Sequence, residues 1–110
     1  MSQTIVKPWG EEIILTESNL PYSGKILKVK AGLRLSLQYH DQKTETLTLI
    51  SGEARIIINK TTQPMVINQG YTILPKDIHR VEAVTDCVIF EVATPEVGTT
   101  FRLEDDYHRS

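Results

Sequence analysis

At 110 residues the chain has room for one domain, spanning 1–110, because a second core would be too small to hold itself together. Hydrophobic residues make up 40% and charged residues 24%, the balance of a globular chain rather than a disordered or fibrous one. The formal net charge of −2 offers no attraction for phosphate backbones or anionic membranes, so nucleic acid and membrane surfaces are set aside as partners.

Helical periodicity is hard to find along the chain, whereas short β-branched and aliphatic runs recur, each closed by Gly, Pro, Asn or Asp. The spacing predicts strands at 11–16, 24–30, 34–40, 45–50, 53–59, 65–68, 71–74, 79–83 and 87–93. Turn signals fall between them at Ala31-Gly32, Asp41-Gln42-Lys43, Ser51-Gly52, Asn59-Lys60-Thr61, Gln69-Gly70, Pro75-Lys76-Asp77 and Thr85-Asp86. A turn roughly every eight to twelve residues suits an all-β antiparallel sandwich or barrel. Trp9 is expected to close a core or an interface, and Cys87, the single cysteine, to be an inert buried thiol in an apolar run. No signal-peptide run stands at the start and no apolar stretch is long enough for a membrane span, so a cytoplasmic location is expected. The charged tail 102–110 is predicted to be solvated, to clamp the barrel or to bind a neighbour.

Segment 34–40 is the most informative. Arg34, Ser36, Gln38 and His40 share one face of the predicted strand, and Leu33, Leu35, Leu37 and Tyr39 the other. In a plain half-buried strand such a polar face meets bulk water. Here Gln38 and His40 project side by side, and Glu45 follows a wholly polar turn. An amide oxygen, a neutral imidazole and a carboxylate are all lone-pair donors to a divalent ion. A fourth ligand has to come from elsewhere, and His79 is the only other histidine outside the tail. Taken alone, His79 reads as a structural or surface histidine.

These intervals resemble the cupin superfamily. From Gly32, five residues lead to Gln38-Tyr39-His40, four more to Glu45 and six more to Gly52, as in the first cupin motif. Gln38 replaces the motif's first His, as in metal-binding phosphomannose isomerases. Gly70, Pro75 and His79 are similar to the second motif, with both intervals one residue short and Asp77 in place of a glycine, which implies a tighter loop. Lys7-Pro8-Trp9-Gly10, Leu35-Ser36-Leu37-Gln38-Tyr39-His40 and the tail are similar to the cupin domain of type II mannose-6-phosphate isomerases. The family's closing Tyr-Gly-Arg is Tyr107-His108-Arg109 here. The resemblance implies a single-domain cupin, a double-stranded β-helix or jelly-roll barrel. It also implies one divalent ion (Zn, Mn, Fe or Ni) on Gln38, His40, Glu45 and His79. The nucleotidyltransferase domain of the bifunctional enzymes has no counterpart, so only the isomerase half is implied.

The expected chemistry is aldose–ketose isomerisation of a sugar phosphate, with an ion stabilising the charge that develops on oxygen. Arg34, on the ligand face, and Arg80, beside His79, are the expected phosphate-binding residues. A separate base is needed. Lys76, Asp77, Glu82, Tyr39 and Tyr71 are candidates, and none stands out. A non-catalytic sugar- or effector-binding cupin and a small metal-dependent oxygenase are the competing readings. The apolar face at Leu33, Leu35, Leu37 and Tyr39 needs a cover, and a homodimer is expected to supply it.

Overall fold

A computed structural model of the chain describes residues 2–95 and 97–107, so the expectations placed on His108 and Arg109 lie outside the described residues. Eleven strands form among them: β1 (Gln3–Lys7), β2 (Gly10–Ile14), β3 (Ser23–Val29), β4 (Leu37–His40), β5 (Glu45–Ser51) and β6 (Ala54–Ile58). The remainder are β7 (Thr61–Pro64), β8 (Gly70–Ile73), β9 (His79–Ala83), β10 (Cys87–Ala93) and β11 (Thr100–Glu104). They build two antiparallel sheets, one in the order β1-β2-β3-β10-β5-β8 and the other β11-β4-β9-β6-β7. The described residues include no helix, and therefore none long and apolar enough to cross a membrane.

Strict alternation decides which side chains enter the space between the sheets. In β5, Glu45, Leu47 and Leu49 are buried while Thr46 and Thr48 stay partly exposed; Thr46 faces Thr72, whose hydroxyl meets its own at 2.9 Å, and Thr48 faces Gly70. The inward residues of β3 are Ser23, Lys25, Leu27 and Val29, and those of β10 are Cys87, Ile89, Glu91 and Ala93. Register aligns them. Cys87 faces Val29, Ile89 faces Leu27 and Leu49, and Glu91 faces Lys25 and Leu47. One end of the barrel is therefore an apolar core of Val29, Leu49, Ile56, Val81 and Ile89, each no more than 1% exposed. The other end is ionisable, with Lys25, Glu45, His79 and Glu91 at the ends of the same inward rows.

Two turns carry backbone demands that fix the topology. Asn59 and Lys60 form the two-residue connection of the β6–β7 hairpin with φ of 48° and 73°, the left-handed pair a tight hairpin requires. Gly52, at φ 88°, passes so close to the carbonyl of Asp86 that a Cβ would collide with it.

The predicted strand at 34–40 is corrected by the structure: β4 begins only at Leu37, and Arg34 makes a lone bridge to Glu82. Leu35 and Ser36 leave the ladder, which shifts the alternation by one residue. Leu33 and Leu35 consequently pack against the core instead of forming an outer face, and Arg34 turns towards Glu82 and Asp106. The run 65–68 is also not a strand. Met65 plugs the core, its N–H bonded to the Ala54 carbonyl, and the chain then turns at Asn68, at φ 68°. Sequence periodicity missed β1, β7 and β11, all sheet edges with half or more of their residues polar or proline-terminated.

Candidate metal centre

His40 closes β4, Glu45 opens β5 and His79 opens β9, so three strand ends meet on one side of the barrel. All three side chains are buried, and one donor atom from each lies within 4.8 Å of the others. Oε1 of Glu45 is the meeting point, 3.4 Å from Nε2 of His40 and 3.1 Å from Nε2 of His79. The shortened loop before His79 closes by a turn in which the Asp77 N–H donates to the Leu74 carbonyl, with Lys76 at φ 72°. Asp77 is held in place by Asn59 and by the Leu74 N–H, and these bonds keep its carboxyl below the usual range.

The other nitrogen of each ring is already engaged. Nδ1 of His79 lies 2.9 Å from the Asp77 carbonyl, a pure acceptor, so this nitrogen carries the proton. Nδ1 of His40 lies 2.9 Å from the Thr100 hydroxyl. Neither Nε2 has a hydrogen-bond partner. In the neutral tautomer the lone pair of His79 Nε2 faces a carboxylate oxygen, an arrangement that asks for a cation between them. The spacing suits one, because two donors each about 2.1 Å from a shared ion sit roughly 3.0 Å apart at octahedral and 3.4 Å apart at tetrahedral angles. The residues present therefore fit a divalent ion.

Gln38 lies directly across from His79 in the β4–β9 pair and lines the same cavity. Its amide oxygen accepts a 2.7 Å bond from the Ser36 hydroxyl and keeps a second lone pair. The cavity mouth, about 210 Å³, is lined by Lys7, Trp9, Glu12, Lys43, Thr100 and Arg102 as well as by His40 and Glu45. Burial raises the Glu45 pKa, but the two facing imidazoles, when protonated at Nε2, together with Lys43 outweigh it and hold the carboxyl well below its ordinary range.

A family model described as "Mannose-6-phosphate isomerase C-terminal" matches residues 1–110. The chain belongs to this family. It is 28% identical to the mannose-1-phosphate guanylyltransferase RfbM of Salmonella typhimurium over 97% of the chain and 22% of RfbM. To the alginate biosynthesis protein AlgA of Pseudomonas aeruginosa it is 29% identical over 96% of the chain and 23% of AlgA. The chain thus spans less than a quarter of either relative. Among solved structures, the cupin-2 domain Rru_A2000 of Rhodospirillum rubrum superposes with a TM-score of 0.80 at 14% identity, covering 91% of this chain and 74% of that one. The fold is a cupin.

In this mannose-6-phosphate isomerase C-terminal domain the two arginines expected to bind phosphate both have protein partners, and Arg80 also lines the inner part of the cavity beside Gln38 and His79. Arg34 makes a fork to Asp106 through Nε at 2.7 Å and Nη2 at 2.9 Å, reaches Glu82 at 3.4 Å, and does not line the cavity. Arg80 is buried, its Nε bonded to the Leu35 carbonyl at 2.8 Å and its Nη2 to the Glu104 carbonyl at 3.3 Å. It ties the irregular segment before β4 to β11. None of Tyr39, Tyr71, Lys76, Asp77 or Glu82 lines the cavity either.

Sequence reasoning overlooked six ionisable residues that do line it, Lys7, Glu12, Lys25, Lys43, Glu91 and Arg102. Nζ of Lys43, in the turn before β5, sits 3.3 Å from Glu45 Oε2 and 3.1 Å from Glu91 Oε2, with all three residues buried. Burial and the nearby Glu45 charge push Glu91 up to about 7, against the pull of Lys43 and Lys25. Lys25 lies 3.7 Å from Glu12. The signal for Lys25 and Glu91 was in the alternation: each shares its strand phase with apolar core residues.

Proposed function

We propose that the chain is one cupin domain that binds a divalent ion through His40, Glu45, His79 and Gln38 and isomerises a sugar phosphate of the mannose-6-phosphate type. The observation that carries this reading is the approach of two partnerless Nε2 atoms to one carboxylate oxygen at 3.4 and 3.1 Å inside a polar cavity. Four protein donors would leave two positions of a six-coordinate ion open to substrate oxygens. An ion held there supplies positive charge to the oxygen that becomes anionic as a proton moves between adjacent sugar carbons. Thr100 and the Asp77 carbonyl hold the two imidazoles in the orientation that presents Nε2. Trp9 and Leu35 close the wall against water. The proton carrier has to reach the cavity, and of the ionisable residues that line it we favour the Lys43–Glu91 pair, because Lys43 lies 3.3 Å from the ligand Glu45 and 3.1 Å from Glu91. We place a second copy of the chain, as a homodimer, over the outer apolar patch of Tyr39, Phe101 and Leu103, the latter two 41% and 52% exposed.

The test is elemental analysis of the purified protein together with an assay for conversion of mannose 6-phosphate to fructose 6-phosphate, with and without chelator. The expected outcome is bound divalent metal and turnover that chelation abolishes. His40→Ala is expected to lose the metal, and full occupancy in that variant refutes the ligand set. Sugar binding without turnover points to a binding module, and oxygen uptake to an oxygenase.

A further inference from the structure

β11 brings alternate residues to the cavity. Thr100 and Arg102 line it, while Phe101 between them stacks on Tyr39 at 4.8 Å. Arg102 pairs with Gln38 in register, and Gln38 pairs with His79, so the three stand in one row across β11, β4 and β9. Two strand spacings separate the ends of that row, about 10 Å. Lys7 reaches the same cavity from the opposite sheet, as the last residue of its edge strand β1. Glu12 lies between two lysines, 3.9 Å from Lys7 and 3.7 Å from Lys25.

The charges are unevenly distributed with depth. Lys25 and Lys43 are buried among Glu12, Glu45 and Glu91, where the carboxylates balance them. Arg102 is exposed, and the Lys7 side chain is 27% exposed, so these two cations stand at the rim. An entering molecule passes Arg102 and Lys7, the latter paired with Glu12 at 3.9 Å, before it reaches the His40–Glu45–His79 cluster.

We propose that Lys7 and Arg102 are the clamp for the phosphoryl end of the substrate, one cation contributed by the edge strand of each sheet. This rests on the sugar-phosphate reading above and makes it specific: the phosphoryl group docks at the rim and the reacting carbons lie inward, towards Gln38 and His79. The span along the row is on the scale of a five- or six-carbon chain with a terminal phosphoryl group. Arginine supplies a planar fork of donors to phosphate oxygens, and lysine a point charge beside it.

Arg102→Gln and Lys7→Gln test the clamp, with Lys28→Gln, outside the cavity, as the surface control. Calorimetric titration with inorganic phosphate, fructose 6-phosphate and fructose is run on metal-loaded protein, with folding checked by circular dichroism. The clamp predicts that each cavity variant binds both phosphate ligands about tenfold or more weakly, with metal content unchanged and Arg102→Lys partly restoring affinity. Wild-type affinity for fructose 6-phosphate in both variants overturns the clamp and leaves the isomerase reading standing. Phosphate binding that the variants lose, in a protein that never turns over a sugar phosphate, supports the clamp and removes the isomerase reading. A wild-type protein that binds neither phosphate ligand overturns the clamp.

Discussion

Glu91 takes the inward phase of a strand whose other inward residues are Cys87, Ile89 and Ala93, and Lys43 reaches in to meet it. A buried lysine between two carboxylates is a set whose members compensate one another, and deleting one leaves charge in a medium that solvates it poorly. Lys43→Met is therefore expected to cost about 3–5 kcal/mol in urea unfolding, while Lys28→Ala, at an exposed pair 4.0 Å long, should stay within about 0.5 kcal/mol. Cys87 gives a second residue-scale expectation. Burial, with the Asp86 charge, pushes its thiol up from an ordinary value near 9 to about 11. The folded state thus holds this proton longer than the unfolded chain, so the associated stability is fully present below about pH 9 and is lost as pH rises through about 11. Thiol-reactive reagents should label Cys87 only after denaturation at neutral pH; rapid labelling of native protein contradicts this. At this scale Gln38, His40 and Glu45 were legible because they crowd one strand end and one polar turn. Lys25 and Glu91 were not sought, because a charged residue in an apolar run is ordinarily assigned to the solvent face.

Among the elements, β11 does two jobs with its two faces. Its inner residues Thr100 and Arg102 complete the cavity, and Tyr107, just beyond it, donates its hydroxyl to the Arg34 carbonyl at 2.9 Å. Thr100→Val removes the hydroxyl beside His40 Nδ1 and should weaken metal binding by about 10- to 100-fold in a competition titration, with Thr100→Ser close to wild type. Equal affinity in Thr100→Val dismisses the positioning role. The sequence was silent on this strand for a physical reason: an edge strand packs on one side only, so its alternation is weak, and the charged tail read as solvated. The same holds for β7, whose Pro64 has no N–H to give and tolerates the sheet edge. Conversely, β5, β9 and β10, interior to their sheets, stand within a residue of where period-two reasoning put them.

For the molecule as a whole, the antiparallel two-sheet architecture was legible because turn residues punctuate every strand and no helical period competes. The phase shift at Leu35 and Ser36 was not, since it depends on Arg80 gripping the Leu35 carbonyl from another strand. That shift takes Leu33 and Leu35 out of the expected outer face of Leu33, Leu35, Leu37 and Tyr39 and leaves Tyr39, Phe101 and Leu103 as the outer apolar patch over which a second copy is proposed. Light scattering at micromolar concentration should report a dimer, and Phe101→Asp a monomer; a monomeric wild type counts against assembly through this face.

The division of the barrel into an apolar end and an ionisable end carries a consequence for how such a chain can change. Leu47 and Glu45, Ile89 and Glu91, Val81 and His79, Leu27 and Lys25 are next-but-one neighbours, so folding and chemistry are written on the same strands in adjoining letters. Exchanging the letters at one end, provided that the buried charges are exchanged as a compensating set, rewrites what the cup can hold and keeps the packed base. A scaffold built this way can drift from one reaction to another, or to none, without first having to learn to fold again.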